Sequence, residues 1–169
     1  MAELAARNFV ERRRINIHPE LPLSHPVMIW NPGDQEPDFG AVSYQLKARW
    51  GQPLLLTTFY TATKQTARHF GAPPSAGGPL KRPHQATHEL HVSALYLKTL
   101  RVDPAAANAW TLDHQLTRER RKQKRPDAVL KNTDGSDRIA LEFGGAYDAR
   151  RVRLFHEDCL ARSLPYELW

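Results

Sequence analysis

Cysteine is almost missing from this 169-residue chain: Cys159 stands alone, which excludes an intrachain disulfide and leaves no cysteine framework for zinc. It reads as a packed helix residue. Long apolar runs are missing too, so no segment reads as a membrane span. Glu3, Arg7 and the charged residues from Glu11 to Arg14 also interrupt any signal-peptide core. A cytoplasmic protein without a membrane partner is the expectation. Phosphate-cradling loops are lacking, because Gly77-Gly78 is not followed by Lys and Ser or Thr, and Gly144-Gly145 lacks the rest of a dinucleotide fingerprint. No serine or cysteine lies in a nucleophile elbow. Aromatic residues make up 9% of the chain, and Trp30, Trp50, Trp110 and Trp169 read as core anchors before base-stacking platforms.

What is present is an excess of positive charge. Lys and Arg total 24 against 18 Asp and Glu, a formal net charge of +6, and the sequence pI is about 9.7. Such a balance favours polyanions through counterion release. Six cations fall within residues 118–125, namely Arg118, Arg120, Arg121, Lys122, Lys124 and Arg125, and Arg150, Arg151 and Arg153 follow further on. Two readings apply to these runs: a nucleic-acid contact, or ordinary solvated surface.

Punctuation divides the chain. Residues 72–86, rich in Pro and Gly, read as a linker between a first unit, residues 1–71, and a second, residues 87–169. In the first unit, residues 2–14 and 39–50 read as helices, the latter capped by Asp38, and residues 54–62 as a strand. Residues 63–70 read as a short helix closed by Gly71. That order suits a degenerate winged helix; alternatively, residues 1–71 wrap the C-terminal core. In the second unit, Thr87 caps a helix over residues 87–99 with Leu90, Ala94 and Leu97 on one face, and residues 110–117 alternate as a half-buried strand. Two hairpin strands follow. A helix over residues 148–162, facing the sheet with Val152, Phe155, Cys159 and Leu160, precedes a last strand at residues 165–169. The sum is an α/β fold, a mixed sheet with helices packed on it.

The hairpin carries the chemistry. A two-residue type I′ turn at Asp134-Gly135 pairs residue 133 with 136, 131 with 138, and Asp127 with Glu142. Ala128, Leu130, Ile139, Leu141 and Phe143 then share the opposite, apolar face, which supports the register independently. Two carboxylates stand roughly 4.5–5.5 Å apart at Cβ, an unfavourable pairing unless a cation joins them. Lys131 and Arg138 share their face at the far end. A salt-bridge network with Arg125 or Arg150 is the purely structural account of the pair. His84, His88 and His91 have helical spacing but not that of a zinc-protease helix, and read as helix-face histidines.

Pro126-Asp127 on one strand and Glu142 on the next, within this order of helix, strands, helix and strand, resemble the PD-(D/E)XK nuclease superfamily with its restriction-endonuclease-like fold. The segment from about His88 to Trp169 looks most like the C-terminal region of plasmid-type replication-relaxation proteins. The resemblance implies a DNA-associated protein of a replication or mobile-element context, with Asp127 and Glu142 as carboxylates for Mg²⁺ or Mn²⁺. It makes Glu89 an auxiliary acid, with Asp113 as a further carboxylate on the first strand. Arg118, Arg120, Arg121, Lys122, Lys124, Arg125, Arg150 and Arg151 would contact nucleic acid, with a protein partner or a second copy as further company. Magnesium in such a site would neutralise a phosphate oxygen and activate water for phosphodiester hydrolysis. The family also has a lysine two residues beyond the glutamate. Here that position is Gly144, so the implied endonuclease has a degenerate motif, and the alternative is a catalytically inactive module that binds nucleic acid or protein.

Overall fold

Two adjacent apolar stretches, Ala128-Val129-Leu130 and Ile139-Ala140-Leu141, set the centre of the molecule, because strands apolar on both faces can only lie inside a sheet covered on both sides. The computed structural model describes residues 1–72, 76–80, 85–112 and 125–169. Its helices are α1 (Ala2–Ala6), α2 (Phe39–Ala48), α3 (Lys64–His69), α4 (Ala86–Val102), α5 (Pro104–Asn108) and α6 (Ala149–Ala161). Its strands are β1 (Val10–Ile17), β2 (Met28–Trp30), β3 (Leu55–Ala62), β4 (Trp110–Leu112), β5 (Ala128–Lys131), β6 (Asp137–Glu142) and β7 (Tyr166–Leu168). No helix among the described residues is long and apolar enough to cross a membrane.

The chain forms two compact units, and they interleave along the sequence. One comprises Met1–Pro19 and Gln52–Glu89, the other Glu20–Gly51 and Leu90–Trp169. Residues 20–51 therefore belong with the C-terminal sheet, as the wrapping alternative has it for that segment. In the smaller unit β1 and β3 form a two-stranded antiparallel ribbon. The expected helix over residues 2–14 ends early: Asn8 takes a positive φ of 60°, and the chain then extends into β1. Helix propensity in a short charged segment is a weak preference, and pairing with β3 overrides it.

The larger unit is a five-stranded mixed sheet in the order β2-β7-β6-β5-β4, antiparallel except for the parallel β6–β7 pair joined through α6. One face packs Ala140, Tyr166 and Leu168 against Val42 and Leu46 of α2 and Val152, Phe155 and Cys159 of α6. The other packs Ala128, Leu130 and Leu141 against Leu95 of α4 and Ala106 of α5. The α/β architecture with flanking helices is thus present. Two helix faces differ from expectation. On α6, His156 is buried and Leu160 is 51% exposed, because about 100° of rotation per residue centres the stripe on residues 152, 155, 156 and 159 and leaves residue 160 at its edge. On α4, Ala86, His91 and Leu95 are buried while Leu97 is exposed, a face rotated by about one position.

The hairpin reaches the expected register by an unexpected route. Asp134 keeps a negative φ, and Gly135 alone is left-handed at +84°, so there is no type I′ turn. Instead Gly135 N–H donates to Asn132 O at 3.0 Å and Asn132 N–H to Ser136 O at 2.9 Å. That closes a three-residue connection with glycine at its left-handed position. The added residue would shift the ladder by one, and Lys131 does pair with Asp137 instead of Arg138. Arg138 then bulges out, and Leu130 meets Ile139, Val129 meets Ala140 and Ala128 meets Leu141. Two single-residue irregularities cancel, and the apolar face decides the outcome.

His156 lies in the core of this unit, its Nδ1 3.1 Å from the Tyr166 hydroxyl and its ring 4.9 Å from Trp30 at 85°. Burial pushes its pKa below the ordinary histidine value, against the opposing charges of Glu36 and Glu157. The unfolded chain therefore takes up a proton more readily than the folded one, so this contribution to stability is present above about pH 6.5 and fades as pH falls. His156→Gln should cost about 1–3 kcal/mol at pH 8 through loss of the buried partner to Tyr166. That penalty should shrink by pH 5, which paired thermal melts at the two pH values will show.

Candidate functional site

Asp127 immediately precedes β5 and Glu142 ends β6, so the observed register sets them side by side. The expected repulsion is answered by hydrogen-bond donors. Asp127 N–H donates to Glu142 Oε2 at 3.1 Å, and Phe143 N–H donates to Asp127 Oδ2 at 2.7 Å. Each carboxylate thus accepts a backbone bond at the other residue's end of the ladder. The third donor is the Tyr147 hydroxyl, 2.5 Å from Glu142 Oε1. Glu142 is 2% exposed and Asp127 half-buried. Charge-assisted bonds of this kind are roughly twice as strong as neutral ones and are what a buried carboxylate requires.

Tyr147 reaches Glu142 because the chain doubles back. Gly145 adopts a φ of +51°, and Tyr147 N–H closes the turn on Gly144 O at 3.0 Å. Burial first, and then the charge of Glu142, push the phenol above its ordinary pKa, so the hydroxyl keeps its proton and remains a donor. The Arg151 guanidinium lies over the Tyr147 ring at 4.0 Å, within cation–π range. Asp148 caps α6 through Arg151 N–H at 2.7 Å. The sequence signal for Tyr147 was available in the Gly-Gly doublet shortly before it, but its contact with Glu142 depends on the φ of Gly145.

Gly144 holds the position where the resemblance calls for lysine. A Cβ built there would come within 3.0 Å of Leu168 Cδ1 and of both Leu46 methyl carbons, and the residue itself is buried. A lysine chain has no way out of that packing. Lys131 is engaged elsewhere: its Nζ is 2.5 Å from Asp137, which also lies 3.9 Å from Arg162. Arg150 and Arg151 are exposed on the first turn of α6 and Arg125 is half-buried just before Asp127. Glu89 is exposed and falls in the smaller unit, whereas Asp127 and Glu142 belong to the larger. Asp113, Arg118, Arg120, Arg121, Lys122 and Lys124 lie outside the described residues.

Magnesium needs near-octahedral oxygen ligands at about 2.0–2.1 Å and usually keeps several waters. Glu142 instead offers its oxygens to Asp127 N–H and Tyr147 O–H in a position closed to solvent, and the described residues contain no cluster of three or more His, Cys, Asp or Glu placed to share an ion. As folded, this donor set does not fit a hydrated ion. His91, read from the sequence as a helix-face histidine, is instead fully buried. Its Nε2 accepts Leu21 N–H at 2.9 Å, and its ring stacks on Phe143 at 4.6 Å and 11°. Its spacing of four residues from Leu95 on the helix was the available signal.

Removing the phenol hydroxyl in Tyr147→Phe should cost about 1.5–3 kcal/mol, as for a hydrogen bond to a charged group. Glu142→Ala should also destabilise, because Asp127 N–H and Tyr147 O–H lose their acceptor; a pair governed by repulsion would gain stability instead. Denaturant titration gives both signs. Gly144→Ala should cost about 1–3 kcal/mol by overpacking against Leu46 and Leu168, read as a lower melting temperature with the secondary structure unchanged.

No protein-family model, no curated protein and no solved structure matches the chain.

Proposed function

We propose that this chain is a DNA-associated binding protein of a replication or mobile-element context, built on a PD-(D/E)XK-like scaffold whose carboxylate pair fastens the hairpin instead of hydrolysing phosphodiesters. The observation that carries this reading is the engagement of Glu142, buried and bonded to Asp127 N–H and Tyr147 O–H. The packing of Gly144 against Leu46 and Leu168 supports it further, since a preorganised cation at that position would supply several kcal/mol of transition-state stabilisation. Binding itself is favoured by the net charge of +6 and by the exposed Arg150, Arg151 and Arg153 on α6, with the six cations of residues 118–125 close by in sequence.

Replacing Arg120, Arg121, Lys122 and Lys124 by Gln should weaken binding to a labelled duplex and flatten its salt dependence by about one log–log unit for each phosphate no longer neutralised. An Arg150→Gln, Arg151→Gln double variant should act in the same direction. Unchanged slopes in both would reduce the cations to surface charge. Incubation with supercoiled and linear DNA in Mg²⁺ or Mn²⁺ should give no cleavage. Nicking that disappears in Asp127→Asn would restore the hydrolytic reading.

A further inference from the structure

The β1–β3 ribbon, which neither the carboxylate pair nor the basic run involves, carries its own charge pattern. Its register runs from Val10 opposite Ala62 to Ile17 opposite Leu55. Side chains alternate across a strand, so one face carries Arg13, Ile15 and Ile17 with Phe59, and the other Arg12, Arg14 and Asn16 with Thr58 and Tyr60. The first face is the more covered of the two and is taken as the inner one: Ile17 is 2% exposed and Ile15 and Phe59 are half-buried, although Leu55 and Arg13 on it are exposed, whereas Arg12, Arg14 and Asn16 of the second are all exposed. Arg12, Arg13 and Arg14 are all exposed. β1 has only Glu11 as an acidic residue and β3 has no charged residue at all. Among the described residues, none of the three arginines takes part in an ion pair.

An antiparallel ribbon without a third strand gains little from its own pairing, and concentrating positive charge on its outer face adds repulsion. Polyanion binding relieves the repulsion. Arg12 and Arg14 stand two residues apart, about 7 Å along the strand, beside the hydroxyls of Thr58 and Tyr60 across the ladder. A B-form major groove, about 12 Å wide, admits a two-stranded ribbon, whereas the deep, narrow major groove of an RNA duplex does not.

We propose that the outer face of the β1–β3 ribbon, with Arg12 and Arg14 flanked by Thr58 and Tyr60, is a docking surface for the major groove and phosphates of double-stranded DNA. This rests on the DNA-binding reading given above and names a second contact surface for it. Charge complementarity selects the partner, and the face assignment makes a prediction that overall charge does not. Arg12 and Arg14 should each hold a phosphate while Arg13, on the inner face, should not.

The test uses the full chain and a labelled mixed-sequence DNA duplex, with fluorescence anisotropy across a salt series. Arg12→Gln with Arg14→Gln should weaken binding tenfold or more at about 0.1 M salt and reduce the log–log slope by about two units. Arg13→Gln should leave the slope within about half a unit of that of the unsubstituted chain, and thermal melts will confirm that both variants fold. If the unsubstituted chain binds but the double variant matches it, or if Arg13→Gln loses as much per charge as the double variant, the ribbon assignment is overturned while DNA binding stands. If the unsubstituted chain does not bind the duplex even at low salt, the underlying DNA reading fails and the ribbon proposal with it. Competition by RNA duplex or by single-stranded DNA as effective as that by the DNA duplex would overturn the major-groove assignment.

Discussion

Burying the Glu142 carboxylate ties together the hairpin, the turn after it and the start of α6 in the larger unit. Taking such a charge out of water costs several kcal/mol unless donors replace the lost hydration, and here the replacements come from opposite directions. Asp127 N–H is in reach only if β5 and β6 hold the observed register, and Tyr147 O–H only if the chain reverses at Gly144-Gly145. The reversal also brings Asp148 to the cap of α6. Hairpin register, turn and helix start are thus tied to one side chain, and a fault in any of them leaves a buried charge short of partners.

Much of this was legible in the order of residues alone. Alternation of apolar residues placed Asp127 beside Glu142 because a one-residue slip would have turned Leu130 and Leu141 away from their core. The turn was misread because Asp134-Gly135 fits a two-residue loop as well as a three-residue one, and local sequence does not reveal that Arg138 will bulge to compensate. The α4 face was placed about one position off and the α6 face erred only at Leu160, since periodicity gives a stripe's width more firmly than its edges. β1 was missed altogether: its partner β3 lies beyond residues 18–54, and no local pattern reports so distant a pairing. At the site, the positions of the two carboxylates could be read, but not the donors described for them, the Asp127 and Phe143 backbone N–H groups and a tyrosine aimed by the φ of one glycine.

The difference between a hydrolytic and a binding use of such a sheet comes down to the neighbours of Gly144. In the implied nuclease pattern, the residue two beyond the glutamate reaches outward to phosphate; here Leu46 from α2 and Leu168 from β7 close over that position. Residues 20–51 supply α2, so the segment inserted between the ribbon strands fills the space a catalytic cation would need. Arg150, Arg151 and Arg153 stay exposed on α6, on the surface that the proposed function gives to a polyanion.

Interleaving has a kinetic corollary. Because residues 20–51 belong to the larger unit while β1 and β3 lie on either side of them, closing the ribbon from an unfolded chain means ordering a long intervening loop, at a cost in chain entropy that no ribbon contact offsets until closure is complete. If the larger unit folds first, the loop is already ordered and the two strands are delivered as the ends of a fixed segment. Non-local strand pairing is slow in any event, so the ribbon is expected to form last, after the sheet that gathers its strands.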